Sequence, residues 1–270
     1  MLDLTQPVVM GILNITPDSF SDGSLYLNAN EALNRAAIMV AEGASIVDIG
    51  GESTRPGSLP VSVQEELDRV IPMVERLVCN LSVPISVDTS KPDVICEALK
   101  AGARLINDVR AFQLPGALEA VASSNNAYLC IVHMQGQPEN MQMEIQYANV
   151  VKEVYTFLAE RVEVCETVGI RNNRIFVDPG FGFGKNLAHN LSLLKNLNSF
   201  TDLAAGVAVG ISRKSMIGTL LDASSVSERL SGGLAMAALA VWQGARIIRT
   251  HDVRETVKAL RVCTAVLAAE

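Results

Sequence analysis

Glu42-Gly-Ala-Ser-Ile-Val-Asp-Ile49 returns in kind as Ala101-Gly-Ala-Arg-Leu-Ile-Asn-Asp108 and as Gln243-Gly-Ala-Arg-Ile-Ile-Arg-Thr250. In each stretch a helical pattern stops, Gly-Ala turns the corner, an apolar run follows and a polar residue closes it. Glycine suits the position just past a helix, where the backbone turns left-handed. An unbroken apolar strand suits a parallel sheet covered on both faces. Working outward from these three anchors predicts eight strands: Val8–Ile15, Ser45–Gly50, Ile85–Asp88, Arg104–Val109, Ala127–His133, Arg174–Asp178, Gly206–Ile211 and Arg246–Thr250. Helical patterns lie between them, among them Glu31–Ala41, Val63–Val78, Asp93–Lys100, Val150–Val168 and Glu228–Trp242. Pro92 and Pro115 suit first helical turns, and Ser62 and Ser227 suit caps. Eight alternations with no linker or change of composition predict a single-domain (β/α)8 TIM barrel over residues 1–270; an open doubly wound sheet is the runner-up.

A chain of 270 residues at 49% hydrophobic content can bury a large core, and its net charge of −7 argues against nucleic acid or an acidic membrane as partner. Any anionic substrate then requires a local cluster of positive side chains. Cys79, Cys96, Cys130, Cys165 and Cys263 form no C-x-x-C and fall within apolar patterns. They read as reduced core residues of a cytoplasmic protein. The N-terminus has no basic stretch before an apolar block. The longest apolar block, Leu234–Trp242, is far short of the ~20 residues a membrane span needs. The Met- and Ala-rich face of that block suits either a helix core or a dimer interface.

The stretch Asp178-Pro-Gly-Phe-Gly-Phe-Gly-Lys185 resembles a phosphate loop but fails on spacing. A P-loop needs a glycine five residues before its Gly-Lys, where this chain has Pro179, and a Ser or Thr after the lysine, where it has Asn186. What remains is a strand ending in a carboxylate, followed by glycines that let something approach the backbone. Two loops are too long to be mere connections, Thr16–Asn30 and Gly51–Val61, and a third, Gln135–Gln146, is rich in Gln and Met. All follow strands, which puts them on the face where barrel enzymes build their sites.

The strands end in Asn14, Asp48, Asp88, Asn107 with Asp108, His133, Asp178, Ser212-Arg-Lys214, and Arg249 with His251. A single polar end is explained by a loop cap or a structural pair; so many around one mouth indicate a site. Asp48, Asp88, Asn107 and Asp178 offer acceptors and amides to a donor-rich or cationic group, but no metal-ligand cluster. Arg55, Arg213, Lys214, Arg249 and His251 offer a positive field for an anion, and the short helix opening at Ser215 adds free N–H groups. The three histidines are far apart, which argues against zinc, and no nucleophile–base pair is evident. The chemistry suits a site that separates a cationic fragment from an anionic leaving group. Asp48 and Asp108 read as structural, His133 as a supporting residue of the mouth, and Met134, Met141 and Met143 as loop packing. Lys185 has no assigned role.

At these residues the chain resembles the bacterial dihydropteroate synthases, a family of pterin-binding enzymes. The resemblance is carried by Met10–Gly23, Asp48–Gly57, Ser86–Lys91, Ile106–Val109, Asp178–Lys185, Gly210–Gly218 and Arg249–Asp252, with a short N-terminus and Ser24 where many members have glycine. It implies a homodimeric barrel that joins 6-hydroxymethyl-7,8-dihydropterin diphosphate to p-aminobenzoate with Mg2+, a transferase of folate biosynthesis and a sulfonamide target. It further implies a pterin pocket of Asp88, Asn107, Asp178 and Lys214 walled by Phe183 and Gly210. Pyrophosphate falls to Asn14, Arg249 and His251, with Asn14 also a Mg2+ ligand. The p-aminobenzoate site falls to Phe20, Thr54, Arg55, Pro56 and Ser215, with Asp22 bracing the first loop. The rival readings are a pterin-dependent methyltransferase on the same barrel and a non-catalytic pterin-binding barrel. The methyltransferase has no use for the Thr54–Pro56 loop or the Arg249/His251 pair.

Overall fold

The computed structural model describes residues 5–15, 25–223 and 225–269. Eight parallel strands close into one barrel in chain order. They are β1 (Val8–Asn14), β2 (Ile46–Gly50), β3 (Ile85–Asp88), β4 (Leu105–Asp108), β5 (Tyr128–Val132), β6 (Ile175–Asp178), β7 (Gly206–Val209) and β8 (Ala245–Thr250). Closure comes from β8 pairing with β1, Val8 opposite Ile247 and Met10 opposite Arg249. Nine helices lie among the described residues. These are α1 (Leu25–Ala41), α2 (Val63–Asn80), α3 (Pro92–Lys100), α4 (Ala117–Ala122), α5 (Val150–Thr167), α6 (Leu187–Lys195), α7 (Ser215–Leu221), α8 (Leu230–Trp242) and α9 (Val253–Leu267).

Side-chain alternation divides the core into two shells. Met10, Ile46, Leu105, Cys130, Phe176 and Ile247 point into the barrel and fill its axis. Their neighbours, such as Val47, Ile49, Val87, Ile106, Val177 and Ile248, point outward and pack beneath the helices. Strands covered on both faces are therefore apolar throughout, which is why they read as continuous runs. Toward the C-terminal end the inward positions change character, and that change makes the site.

The strand boundaries agree with the expectation to within one residue at most ends, β5 and β7 stopping one and two residues short. Several local expectations need correction. Helix α1 begins at Leu25, inside the stretch expected to be loop. Ser62 caps α2 by accepting from the Glu65 N–H, and Pro92 opens α3. Pro115 precedes α4, whose cap is Gly116 in a left-handed conformation. Ser227 does not cap: a 3-10 turn over Ser227–Arg229 precedes α8, and Ser225 Oγ accepts from the Glu228 N–H. Cys130, Cys165 and Cys263 are buried as expected, while Cys79, near the end of α2, is exposed. Met141 packs in its loop, whereas Met143 is 80% exposed. In α8, Met236, Ala237 and Ala240 are core, whereas Leu239 and Trp242 face outward.

Candidate active site

Register places Asn14, Gly50, Asp88 and Asn107 level with one another across β1 to β4. Gly50 leaves room there: a Cβ on it would stand 3.5 Å from Asn14 Oδ1 and 3.8 Å from Asp88 Cβ. Asp88, Asn107 and Asp178 are nearly fully buried at 7%, 5% and 7% exposure. Asp108, one residue beyond Asn107, points the other way. It accepts from the Ser90 hydroxyl and from the backbone N–H groups of Arg110 (2.7 Å) and Phe112 (2.6 Å). Its structural reading holds: it fixes the turn that follows β4.

Asp48 is a structural partner as well, through a buried pair across the barrel. It points inward from β2 and accepts from Arg249 Nε at 2.7 Å, while Arg249 Nη2 donates to Asp88 at 2.8 Å. Burial works against the Arg249 charge, but the two carboxylates hold its guanidinium above the usual range. Asp88 is pushed up to about 7, chiefly by burial, with Arg249 opposing and the carboxylates of Asp48, Asp108 and Glu66 adding to the rise. The signal for Asp48 was in the sequence: it shares inward parity with Ile46 and Gly50, and a buried inward carboxylate requires a partner.

The expected positive field is smaller than the residue count suggests. Arg213, in a left-handed conformation at φ 62, forms two hydrogen bonds to the carboxylate of Asp252. Arg249 is shared by two carboxylates. His251 is held down to about 4 by burial, with Arg213 and Arg249 adding to the fall, and is therefore neutral. Ser212 holds it in place: the Ser212 oxygen accepts from the His251 backbone N–H at 3.2 Å and lies 3.1 Å from the ring Nδ1, with Asp252 Oδ2 at 3.5 Å. Arg55 stands exposed in its loop.

On the opposite side, Asp178 Oδ1 accepts from the Gly180 N–H at 2.7 Å, and burial raises its pKa against the pull of Lys214. Lys214 donates to the Phe181 carbonyl and lies 4.4 Å from the centre of the Phe183 ring. Burial lowers it to about 8, Asp178 opposing. Gly210 keeps the space between these groups open, since a Cβ on it would come within 4.0 Å of Asp178 Oδ2 and 3.9 Å of Arg249. Asp88, Asn107, Asp178, Lys214, Phe183, Gly210, Asn14, Arg249 and His251 thus collect at one mouth.

Thr54 joins them from the Gly51–Val61 loop. It lines a small open pocket with Glu52, Asp88, Thr89, Lys91 and Pro138. Arg55 and Pro56 sit at the exposed tip of that loop, and Ser215 is exposed at the start of α7. Phe20 and Asp22 lie outside the described residues. Two further residues, one bracing this loop and one the Asp178–Lys185 turn, were missed from sequence. Lys91 stands 2.5 Å from both Glu52 and the buried Glu66, and Gln142 donates to the Gly182 carbonyl at 2.7 Å.

Two expectations change. His133 is not at the mouth but buried behind it, edge-on to Phe157 at 4.9 Å. The glycines of Asp178–Lys185 leave room for protein rather than for a ligand. A Cβ on Gly180 would stand 1.8 Å from the His133 carbonyl oxygen, and one on Gly184 would stand 2.5 Å from that of Gln135. No cluster of three or more His, Cys, Asp or Glu suited to a metal occurs among the described residues.

A family profile described as pterin binding enzyme matches residues 10–251. The dihydropteroate synthase of Escherichia coli is 54% identical over 269 residues, covering 100% of this chain and 95% of that protein. The structure of the Yersinia pestis dihydropteroate synthase with a sulfonamide drug superposes with a TM-score of 0.93 at 51% identity, covering 99% of this chain and 97% of that one. The Xanthomonas albilineans dihydropteroate synthase in complex with 7,8-dihydropteroate superposes with a TM-score of 0.90 at 44% identity, covering 100% and 97%.

Proposed function

The chain belongs to the pterin-binding enzyme family, and we infer that it catalyses the dihydropteroate synthase reaction as one catalytic domain. It joins 6-hydroxymethyl-7,8-dihydropterin diphosphate to p-aminobenzoate and releases pyrophosphate and 7,8-dihydropteroate. The observation that carries this reading is the arrangement of Asp88, Asn107, Asp178 and Lys214 around an opening bordered by Arg249 and His251. The relative from Escherichia coli bears this activity in its name, and the relative from Xanthomonas albilineans binds the product.

A pterin presents a ring nitrogen and an exocyclic amine as two parallel donors, which match the two oxygens of Asp178. Asn107 and Lys214 meet the remaining edge, and Phe183 with Gly210 bounds the flat ring. The diphosphate leaves from a methylene attached to that ring, so breaking the C–O bond produces a cation delocalised over the pterin. The buried carboxylates of Asp88 and Asp178 favour that cation in a place with little water. Arg249 and the neutral His251 imidazole receive the departing pyrophosphate, with Arg249 exchanging an acidic partner for the leaving group. The p-aminobenzoate nitrogen then forms the new C–N bond and gives up a proton. An arylamine is neutral near pH 7, so the step needs no strong base, which accounts for the missing nucleophile–base pair. Thr54, Arg55, Pro56 and Ser215 hold the benzoate, together with Phe20; with Asp22 they exclude water that would otherwise trap the cation.

Mg2+ takes oxygen ligands, keeps several waters and is commonly held against substrate phosphates, so the amide oxygen of Asn14 would suit it. The ion would neutralise charge on the leaving group. Leu239 and Trp242 of α8 and Val262 and Val266 of α9 are large, apolar and about half exposed or more; a homodimer would cover such residues. Five unpaired cysteines suit the reducing cytoplasm.

The test is direct: supply dihydropterin diphosphate, p-aminobenzoate and Mg2+, and follow pyrophosphate. Release is expected to require the protein, with sulfonamides competing against p-aminobenzoate. Absence of release, with methyl transfer from methyl-tetrahydrofolate in its place, would sink the reading. Asp88→Asn is expected to slow single-turnover pyrophosphate release; an unchanged rate would remove Asp88 from the dissociative step.

A further inference from the structure

Lys185 closes the turn that Asp178 opens, and nothing in the reaction described above uses it. Its side chain is 3% exposed. The Nζ atom lies 3.0 Å from the Gly180 carbonyl oxygen, 2.9 Å from that of Phe183 and 2.9 Å from His133 Nδ1, with the His133 carbonyl at 3.3 Å. The carbonyls can only accept, so Lys185 is the donor to each of them, and the Nζ–Nδ1 contact joins it to the His133 ring. Burial holds His133 down to about 2, with Lys185 adding to the fall, so the ring is neutral. Burial pulls Lys185 well below the usual ammonium range and Asp178 pulls it back.

A buried lysine with no bonded carboxylate is costly, and a similar-sized apolar residue would fill the volume at less cost. What an apolar residue cannot do is donate to this turn. Gly180, Gly182 and Gly184 all have positive φ, at 71, 78 and 61 degrees, so their segment forms no regular ladder. The same segment touches three site groups at once: its Gly180 N–H meets Asp178, its Phe181 carbonyl receives Lys214, and its Phe183 ring lies beneath Lys214.

We propose that Lys185 is a positioning residue for the pterin half of the site. Its Nζ donor stands in for missing backbone donors, ties the turn to His133 just past the end of β5, and so sets the places of Asp178, Lys214 and the Phe183 ring. It has no contact with Thr54–Pro56, so its influence falls on the pterin substrate and not on p-aminobenzoate. The proposal rests on the assignment of Asp178 and Lys214 to the pterin.

The test is steady-state kinetics of the full-length protein with each substrate varied in turn, alongside calorimetry with 7,8-dihydropteroate. Lys185→Met is expected to raise the KM for dihydropterin diphosphate and weaken product binding by at least about tenfold, while the KM for p-aminobenzoate stays within about twofold. Lys185→Gln, whose amide can still donate to two carbonyls, is expected to fall between Lys185→Met and the unchanged protein. It becomes the deciding variant if Lys185→Met does not fold. A folded variant whose pterin KM stays within about twofold overturns the proposal, as does an equal rise for both substrates. Asp178→Asn separates the two levels of the argument. If it leaves pterin binding intact, the pocket assignment fails and this proposal with it. If it weakens binding and Lys185→Met does not, only the role of Lys185 fails.

Discussion

In the Asp178–Lys185 turn, glycine is demanded by protein packed against protein: a Cβ on Gly180 would lie 1.8 Å from a backbone oxygen. In the Gly51–Val61 loop, Gly57 has an equally left-handed φ of 80 degrees, yet nothing lies within 4 Å of its missing Cβ. The lysines that brace these segments differ in the same sense. Lys185 is enclosed by neutral acceptors. Lys91 is held between the carboxylates of Glu52 and Glu66, and Glu52 also accepts from the Val61 N–H at 3.2 Å, joining both ends of the loop. The turn is thus part of the scaffold, seated before any substrate arrives. The loop is firm at its base and open at its tip, where Gly57 N–H reaches only the Pro138 carbonyl, at 2.9 Å. On the proposed assignment, the turn is the packed pterin side and the loop the exposed p-aminobenzoate side, which would suit a reaction in which the cation forms before the second substrate's nitrogen closes on it.

The largest effect expected from this contrast is on stability. Lys91→Met leaves the carboxylate of Glu66, 1% exposed, beside Glu52 without its counter-charge. Chemical denaturation is expected to show a loss of about 3–5 kcal/mol; a loss below ~1 kcal/mol would mean the base of the loop is not held by that pair. Gly180→Ala comes next, at roughly 3 kcal/mol for a clash with backbone together with strained φ. It should also raise the pterin KM, which the same kinetics would show.

The pH profile distinguishes two groups within the proposed pterin pocket. As pH falls through about 7, Asp88 takes up a proton and loses the charge that favours the pterin cation. As pH rises through about 8, Lys214 loses its proton. The kcat/KM for dihydropterin diphosphate should therefore fall about tenfold per unit outside a narrow range between them. Glu66→Gln is expected to move the acid limb down, because Glu66 helps raise Asp88, and to leave the basic limb in place. A shift of both limbs together would contradict this division. The smallest effect is expected from Gly57→Ala, about 1 kcal/mol for the left-handed backbone alone. A loss as large as that of Gly180→Ala would show the tip to be packed after all.

The barrel and the residues at its mouth were legible because both are written locally. Gly-Ala corners, apolar strands and a polar residue at each strand end repeat at short range, and burial on both faces makes them conspicuous. Even the separation of Asn107 from Asp108 follows from alternation, once it is known which face is inward. What local pattern could not supply was partnership. Arg249 counts as a free cation in the sequence, but barrel closure places it against Asp48, 201 residues away, and against Asp88. His251 counts as basic, but burial and two arginines keep it neutral. The glycines after Asp178 suggested room for a ligand, and only the approach of the β5 loop showed that its backbone already fills that room. Periodicity and capping depend on neighbours in the chain, so sequence alone determined the elements and their order. Charge state and positioning depend on groups brought together by closure of the barrel, and those only the tertiary structure decided.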